Sequence, residues 1–266
     1  MVLTSLFAAL IVIMAFTPLG YIPLVIINAT IIHIPVIIGS LYCGPKRGAF
    51  LGFVFGATSF LKNTLMATSL SAFVFSPVLA FSVAGPIGIL ESTIICFVPR
   101  ILVGVVPFYV FQVIQSHLSG SHRKTAKLIC DLVLSLIVAL ASYTALYKIL
   151  TDHVQANAVS VAVTTACLLG LAVFLILTFA LGSQSGSMLS FVYAGLSGAL
   201  TNTLLVMPMI YLFYKNAYAA ALSIEPSAVM GVILGVISFN GVLEALVAAV
   251  LVSAVGLALN RYQSKA

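Results

Sequence analysis

Arg100 is the residue whose type and position most directly suggest chemistry in this chain. It lies within the apolar segment STIICFVPRILVGVVPFYVF, and no other charged side chain occurs between Glu91 and Arg123. A guanidinium keeps its charge at any accessible pH, and placing one at the centre of an apolar helix costs at least ~2.5–3.5 kcal/mol. We therefore expect Arg100 to face the protein interior and to meet an anion, a carboxylate or a ring of hydrogen-bond acceptors.

A small set of other polar side chains lies in or beside apolar segments and could share a site with Arg100. The set comprises Asn28, His33, Asn63, Glu91, Asp131, Asn202, Asn240 and Glu244. Asn240 and Glu244 are one helical turn apart, so they share a face. One guanidinium, several amides and a few aromatic rings suit a small organic anion that carries hydroxyl or amide groups. Arginine offers a fork to a carboxylate, and asparagine can both donate and accept.

A second interpretation of these residues needs no ligand. Arg100 could form an ion pair with Glu244 or Glu91 while the asparagines bridge helices. His33, beside an irregular loop, could serve as a hydrogen-bonding residue at a helix end, and Asp131 could pair with Lys127 at i−4. Catalysis is poorly supported, because the chain contains no HExxH, GxSxG or P-loop motif. The cysteines form no CxxC motif and pair with no histidine at a metal-like spacing, so we expect neither a metal nor a cofactor.

The elements that must position these residues are transmembrane helices. The chain is 62% hydrophobic and 6% charged, with a mean hydropathy of +1.27, which predicts a polytopic α-helical membrane protein. Its net charge of +6 comes largely from basic clusters at 46–47, 123–127 and 261–265. These clusters fall on alternate connections, as expected of cytoplasmic segments. The basic excess therefore indicates topology, and nucleic-acid binding is excluded.

Apolar runs and their breaks predict eight spans with both termini cytoplasmic. The spans are expected at about 2–17, 31–43, 48–61, 87–114, 126–149, 158–181, 187–213 and 227–258. The first lacks a basic n-region and a cleavage site, so residues 1–17 are expected to be a retained helix. Pro18, Gly20 and Pro23 should end it and begin an irregular loop over 18–30. The last span is long enough either to tilt in the membrane or to contain a break at Asn240-Gly241.

Small residues spaced four apart predict close helix packing. Gly44, Gly48, Gly52 and Gly56 form one such row, and Gly241, Ala245, Ala249 and Ser253 form another. We interpret both rows as packing surfaces inside the bundle. On the first helix, Thr4 with Ala8 and Ser5 with Ala9 give the same pattern, which could equally serve a partner helix.

Four stretches of the sequence carry a resemblance to a known family. They are AFTPLGYIPLVIINATIIHIPVIIGSLYCGPKRGAFLGFVFGATSFLKNT (15–64), ICFVPRILVGVVPFYVF (95–111), LTNTLLVMPMIYLFY (200–214) and GVILGVISFNGVLEALVAA (231–249). This pattern resembles the substrate-binding S-components of energy-coupling factor (ECF) vitamin transporters and is most similar to the pantothenate branch. The resemblance covers about 1–115 and 186–262.

The resemblance implies one integral membrane domain over 1–266 in the bacterial cell membrane. A six-helix S-component core would occupy about 2–115 and 186–260, with an inserted transmembrane hairpin at about 117–185. It also implies an ECF module of a transmembrane scaffold protein and two ATP-binding subunits, which would hydrolyse the ATP. The face of the first helix that meets the scaffold would contain Thr4, Ser5, Ala8 and Ala9. Loops at about 18–30 and 62–85 would cover the ligand.

For the ligand, the resemblance and the residues together predict pantothenate, a carboxylate with two hydroxyls and one amide. Arg100 would pair with the carboxylate, and Asn202 and Asn240 would bind the amide and hydroxyls. Tyr21, Asn28 and His33 would come from the covering loop, and Asn63 and Glu244 complete the predicted substrate-binding set. Two alternatives stay open: an S-component for a different vitamin, and an ECF-independent secondary transporter of a small organic anion.

Overall fold

A computed structural model describes residues 1–23, 28–67, 69–119, 124–133, 135–136, 139, 143 and 186–263 of the chain. In this part the protein is mainly helical, with short turns and one pair of three-residue strands, which agrees with the prediction of an α-helical membrane protein. The chain divides into two compact units, residues 1–112 with 191–266 and residues 113–190. The second unit has bounds close to those predicted for the inserted hairpin. The spans predicted at 126–149 and 158–181 lie largely outside the described residues. Residues 124–133, which overlap the first of these spans, are described and are helical.

The N-terminal part of the chain consists of one helix and a short pair of strands. Helix α1 (Val2–Ala15) ends where predicted, before a 3-10 turn at Pro18–Gly20. The residues that follow were predicted to be irregular. They instead contain the antiparallel strands β1 (Tyr21–Pro23) and β2 (Asn28–Thr30), with Tyr21 opposite Thr30. The backbone N–H of Ile31 donates to the Gly20 carbonyl at 3.0 Å and continues the pairing beyond the strands.

Helices α2 (His33–Cys43) and α3 (Pro45–Leu65) meet at Gly44. Gly44 has φ 89°, a conformation that glycine adopts without the penalty a side chain would add, and Pro45 follows at the first position of α3. Helix α3 is longer at both ends than the span predicted at 48–61.

Three glycines of the predicted row, Gly48, Gly52 and Gly56, pack inside the protein, whereas Gly44 has open space where a Cβ would lie. A Cβ added at Gly48 would collide with the main chain of Gly104, and one at Gly52 with the main chain of Arg100. At Gly56 it would lie 2.9 Å from the Cys96 carbonyl oxygen. The bare backbone of α3 therefore lets the segment that carries Arg100 approach it closely.

That segment is helix α4 (Pro77–Val103), followed after Gly104 and Val105 by α5 (Val106–Ser119). A 3-10 turn at Ala72–Phe75 precedes α4. The Ser76 hydroxyl caps α4 by accepting from the Leu79 backbone N–H at 3.3 Å. Gly85 (φ 64°) kinks the helix before Pro86. The helix thus begins about ten residues before the span predicted at 87–114.

The C-terminal part of the chain supplies the remaining walls. Helix α6 (Gly186–Leu222) extends beyond the predicted end at 213, and a 3-10 turn at Pro226–Ala228 leads into α7 (Val229–Val236). A π-helical segment, Ile237–Gly241, separates α7 from α8 (Val242–Gln263) and includes Asn240-Gly241, where a break was one of the two possibilities for this span. Gly195 of α6 fits against the main chain of Ala248 and Ala249, so the second small-residue row also packs internally.

Three of the described helical segments are long and apolar enough to cross a membrane. They are Pro77–Ser119, Ser187–Leu222 and Val242–Tyr262. Val2–Ala15, His33–Cys43 and Pro226–Val236 are apolar but shorter. The structure therefore agrees with a membrane protein, and the predicted number of eight spans stays a prediction.

Candidate functional site

An open cavity lies among the helices of the unit formed by residues 1–112 and 191–266. It encloses about 680 Å³ of space, a volume that includes the open solvent at its mouth. Five of the predicted site residues line it: Asn63, Arg100, Asn202, Asn240 and Glu244. The wall is completed by residues that the sequence analysis did not select: Thr30, Ser59, Ser69, Ser71, Phe75, Thr203, Val206, Met207 and Val236.

The orientation of Arg100 follows from the proline before it. Pro99 has no N–H, so the carbonyl of Ile95, four residues earlier, loses its usual helical partner. The Arg100 guanidinium fills this gap, because its Nη1 donates to the Ile95 carbonyl oxygen at 2.6 Å. Arg100 is only 5% exposed. The Pro-Arg pair therefore folds the guanidinium back along α4 and fixes it at the cavity wall.

Two aromatic rings hold the guanidinium from the sides. Its Cζ lies 4.9 Å from the ring centroid of Phe75 and 5.6 Å from that of Phe55, distances at which a cation is attracted to a ring face. Phe75 also lines the cavity. Such rings exclude water and strengthen the attraction between the guanidinium and an anion.

The structure separates the two carboxylates considered as partners for Arg100. Glu91 lies nine residues before Arg100 on α4, and nine steps of ~100° place it on the opposite face of the helix. Glu91 does not line the cavity, whereas Glu244 does. The Arg100 and Glu244 charges attract each other. Of these two carboxylates, Glu244 is therefore the one that shares the cavity with Arg100.

Glu244 is 8% exposed, and both of its carboxylate oxygens accept hydrogen bonds. Oε1 accepts from the backbone N–H of Thr30 at 2.6 Å, and Oε2 accepts from the Thr203 hydroxyl at 3.2 Å. The carboxylate thereby joins strand β2 and helix α6 to helix α8. These bonds leave it less capacity to accept hydrogen bonds from a ligand.

Asn202 and Asn240 offer amides from two different helices. Asn202 of α6 is 7% exposed, and its Oδ1 is buried without a hydrogen-bond partner among the described residues. A buried acceptor left unmatched is costly, so this atom indicates where a ligand donor would bind. Asn240 lies in the π-helical segment, a distortion that occurs frequently at functional sites.

The polar end of α3 lies near these amides. Asn63 donates through Nδ2 to the Ser59 carbonyl at 2.8 Å, which holds its side chain against its own helix. Ser59, Ser69 and Ser71 add hydroxyl groups to the wall. The cavity therefore combines one guanidinium with several hydroxyl and amide groups.

Three predicted site residues are not placed on this cavity. His33, at the first position of α2, is buried and does not line it. The predicted ligand contact of His33 is therefore not supported by its position. The side chains of Tyr21 and Asn28 lie outside the described part of the structure, although their backbones belong to β1 and β2.

Helical spacing could have identified some of the missed wall residues. Ser59 lies four positions before Asn63, Val206 four after Asn202, and Val236 four before Asn240. No such rule connects Thr30, Ser69, Ser71 or Phe75 to the site, because they reach the cavity from strand β2 and from the segment between α3 and α4.

The small-residue pairs on α1 fall on different sides of the helix. Thr4 is 8% exposed and Ala8 is half-buried, so this pair faces the protein. Ser5 and Ala9 are exposed, as are Leu6 and Val12. The exposed face available to a partner helix is therefore centred on Ser5 and Ala9, and Thr4 is excluded from it by burial.

Comparisons with known proteins show to which family the chain is similar. A family model described as "ECF transporter, substrate-specific component" matches residues 1–181, more than half of the chain. The pantothenic acid transporter PanT of Lactococcus lactis subsp. cremoris is 40% identical over 97 residues, 35% of this chain and 47% of that protein. The pantothenate transporter PanT of Leuconostoc mesenteroides is 35% identical over 113 residues, 40% of this chain and 47% of that protein. The chain therefore spans about half the length of the curated relatives it matches.

Proposed function

The chain belongs to the ECF transporter substrate-specific component family, and we propose that it captures pantothenate outside the cell for ATP-driven uptake. The observation that carries this proposal is the meeting of Arg100, Asn202 and Asn240 on the wall of one cavity. The names of the two relatives point to the same vitamin.

The chemistry of the wall matches the functional groups of pantothenate. Arg100, directed into the cavity by Pro99 and by the rings of Phe55 and Phe75, pairs with the carboxylate. Asn202 accepts a hydrogen bond from the amide N–H or a hydroxyl through its otherwise unmatched Oδ1. Asn240 and Asn63 bind the remaining polar groups, and Val206 and Met207 pack against the aliphatic portion.

Strand β2 contributes to the site through Thr30, which lines the cavity. Tyr21 and Asn28 lie on strands β1 and β2, and we propose that their side chains also contact the vitamin. His33 is left out of this ligand-binding set because it does not line the cavity.

The partners proposed are those of an ECF module: a transmembrane scaffold protein and two ATP-binding subunits that hydrolyse the ATP. The exposed Ser5–Ala9 face of α1 meets the scaffold, since small residues allow helices to approach closely in lipid. The chain is a multi-pass protein of the bacterial cell membrane, with a six-helix core, an inserted hairpin at about 117–185 and cytoplasmic termini. It uses no cofactor and binds no nucleic acid.

A vitamin-binding experiment on the purified chain tests the proposal. A ligand that binds only the folded state raises the melting temperature by mass action, so pantothenate should stabilise the detergent-solubilised protein. A panel of other vitamins at the same concentrations provides the comparison. Stabilisation by another vitamin and not by pantothenate would assign a different substrate, and pantothenate uptake by the chain alone, without ATP, would identify a secondary transporter.

A further inference from the structure

Glu244 connects the strand pair to the helices around the cavity. Its Oε1 accepts from the Thr30 backbone N–H at 2.6 Å, and the two residues are 214 positions apart in sequence. Its Oε2 accepts from the Thr203 hydroxyl at 3.2 Å. Thr30, Thr203 and Glu244 all line the cavity. One carboxylate thus determines how β2, α6 and α8 meet at the wall.

The strand pair needs such an attachment. Each strand has three residues, and they form a two-stranded sheet. An isolated two-stranded hairpin is at best marginally stable. A backbone N–H that is removed from water needs a hydrogen-bond acceptor, and the side-chain oxygen of Glu244 provides one for Thr30. The Glu244–Thr30 bond therefore supplies an anchor that the strands cannot provide for themselves.

The position of Glu244 follows from the distortion just before it. The π-helical segment Ile237–Gly241 places Asn240 on the cavity, and Glu244 follows one turn later in the first turn of α8. Because Glu244 is attached to the same backbone as Asn240, the bond to Thr30 fixes the distance between the amide of Asn240 and strand β2.

We propose that Glu244 is a positioning residue, whose carboxylate holds β2 against the cavity so that the ligand meets a preformed wall. This inference rests on the proposed function, because it assigns Glu244 a role in vitamin binding. It differs from direct ligand contact, since Glu244 acts through Thr30. A wall already ordered before binding loses less conformational freedom when the ligand arrives, which increases affinity.

The test measures hydrogen exchange of the β2 backbone in vitamin-free protein and, separately, the rate of pantothenate release. Three proteins are compared with the unmodified chain: Glu244→Ala, Glu244→Gln and the control Ser253→Ala. Ser253 is also buried on α8, but its hydroxyl donates to the Val250 carbonyl of its own helix, at 3.0 Å, and among the described residues it connects no other element. Glutamine keeps an oxygen that can accept from the Thr30 N–H, and its amide can donate to the Thr203 hydroxyl.

Loss of the anchor should accelerate exchange of the β2 amides by ~3–10-fold in Glu244→Ala, as expected for the loss of one buried hydrogen bond. Pantothenate release should accelerate with it. Glu244→Gln should recover most of the protection, and Ser253→Ala should match the unmodified chain.

Two outcomes would overturn the proposal. One is unchanged β2 exchange in Glu244→Ala; the other is equal loss in Glu244→Gln, which would assign the effect to the charge. If Glu244→Ala does not fold, an unprotected Thr30 amide in the unmodified vitamin-free protein also refutes the anchor. Absence of pantothenate binding by every protein would refute the proposed function, while the exchange data would still decide the role of Glu244.

Discussion

Replacement of Arg100 gives the sharpest test of the ligand site. Arg100 is 5% exposed, and its Nη1 donates to the Ile95 carbonyl. The proposed function pairs this guanidinium with the vitamin carboxylate. We expect Arg100→Ala to remove two charge-assisted bonds to that carboxylate, each worth ~1.5–3 kcal/mol. At ~1.4 kcal/mol per factor of ten, the dissociation constant should rise by ~10²–10⁴-fold.

Arg100→Lys separates charge from geometry. Lysine keeps the positive charge but cannot reproduce the planar fork, so it should lose about one of the two bonds and weaken binding by ~10–100-fold. Both variants also free the Ile95 carbonyl, because Pro99 offers it no N–H. A lower melting temperature of the vitamin-free protein is therefore expected, and affinities must be compared on folded, monodisperse samples.

The assay is equilibrium binding of radiolabelled pantothenate to purified protein in nanodiscs. Lys215→Ala is the matched control, since it removes a cation from α6 that lies over the Tyr211 ring, 5.3 Å from its centroid, and does not line the cavity. Its affinity should equal that of the unmodified chain. Unchanged affinity in folded Arg100→Ala would refute the assignment and return Arg100 to a purely structural role.

Three further predictions follow from the described contacts. Asn202→Leu should weaken pantothenate binding by ~10-fold or more. The melting temperature of the vitamin-free protein should stay equal or rise, because the change removes a buried unmatched acceptor. A fall in both the affinity and the melting temperature would contradict this. Gly52→Ala should destabilise the protein by ~1–3 kcal/mol in thermal unfolding, since its Cβ collides with the α4 main chain. The control Gly231→Ala, with open space around the added Cβ, should be neutral or stabilising. Ser5→Leu with Ala9→Leu should prevent co-purification with an ECF module without changing vitamin affinity, and an intact complex would exclude this face of α1.

Local sequence patterns did not predict the pair of strands in the connection between α1 and α2. Pro18, Gly20 and Pro23 correctly predicted the end of α1, because proline and glycine disrupt helices locally. The pairing of Tyr21 with Thr30 was not predicted. The bond that anchors this pair comes from Glu244, which no local pattern could connect to it.

The composition alone determined that this is an α-helical membrane protein. The position of Arg100 in an apolar run was enough to predict a buried cation that needs a partner, since its charge cannot be lost. The four-residue spacing of glycines similarly predicted close helix packing, because periodicity along a helix is a local property.

Tertiary structure alone decided which polar groups share one cavity. Sequence spacing could not distinguish Glu91 from Glu244 as a counter-charge for Arg100, nor detect Thr30 and Phe75 at the site. These residues come from separate elements, and their distances depend on how the backbones pack, as where Gly52 admits the main chain of Arg100. The local sequence therefore predicted that Arg100 needs a partner, and only the packing of distant segments determined which groups surround it.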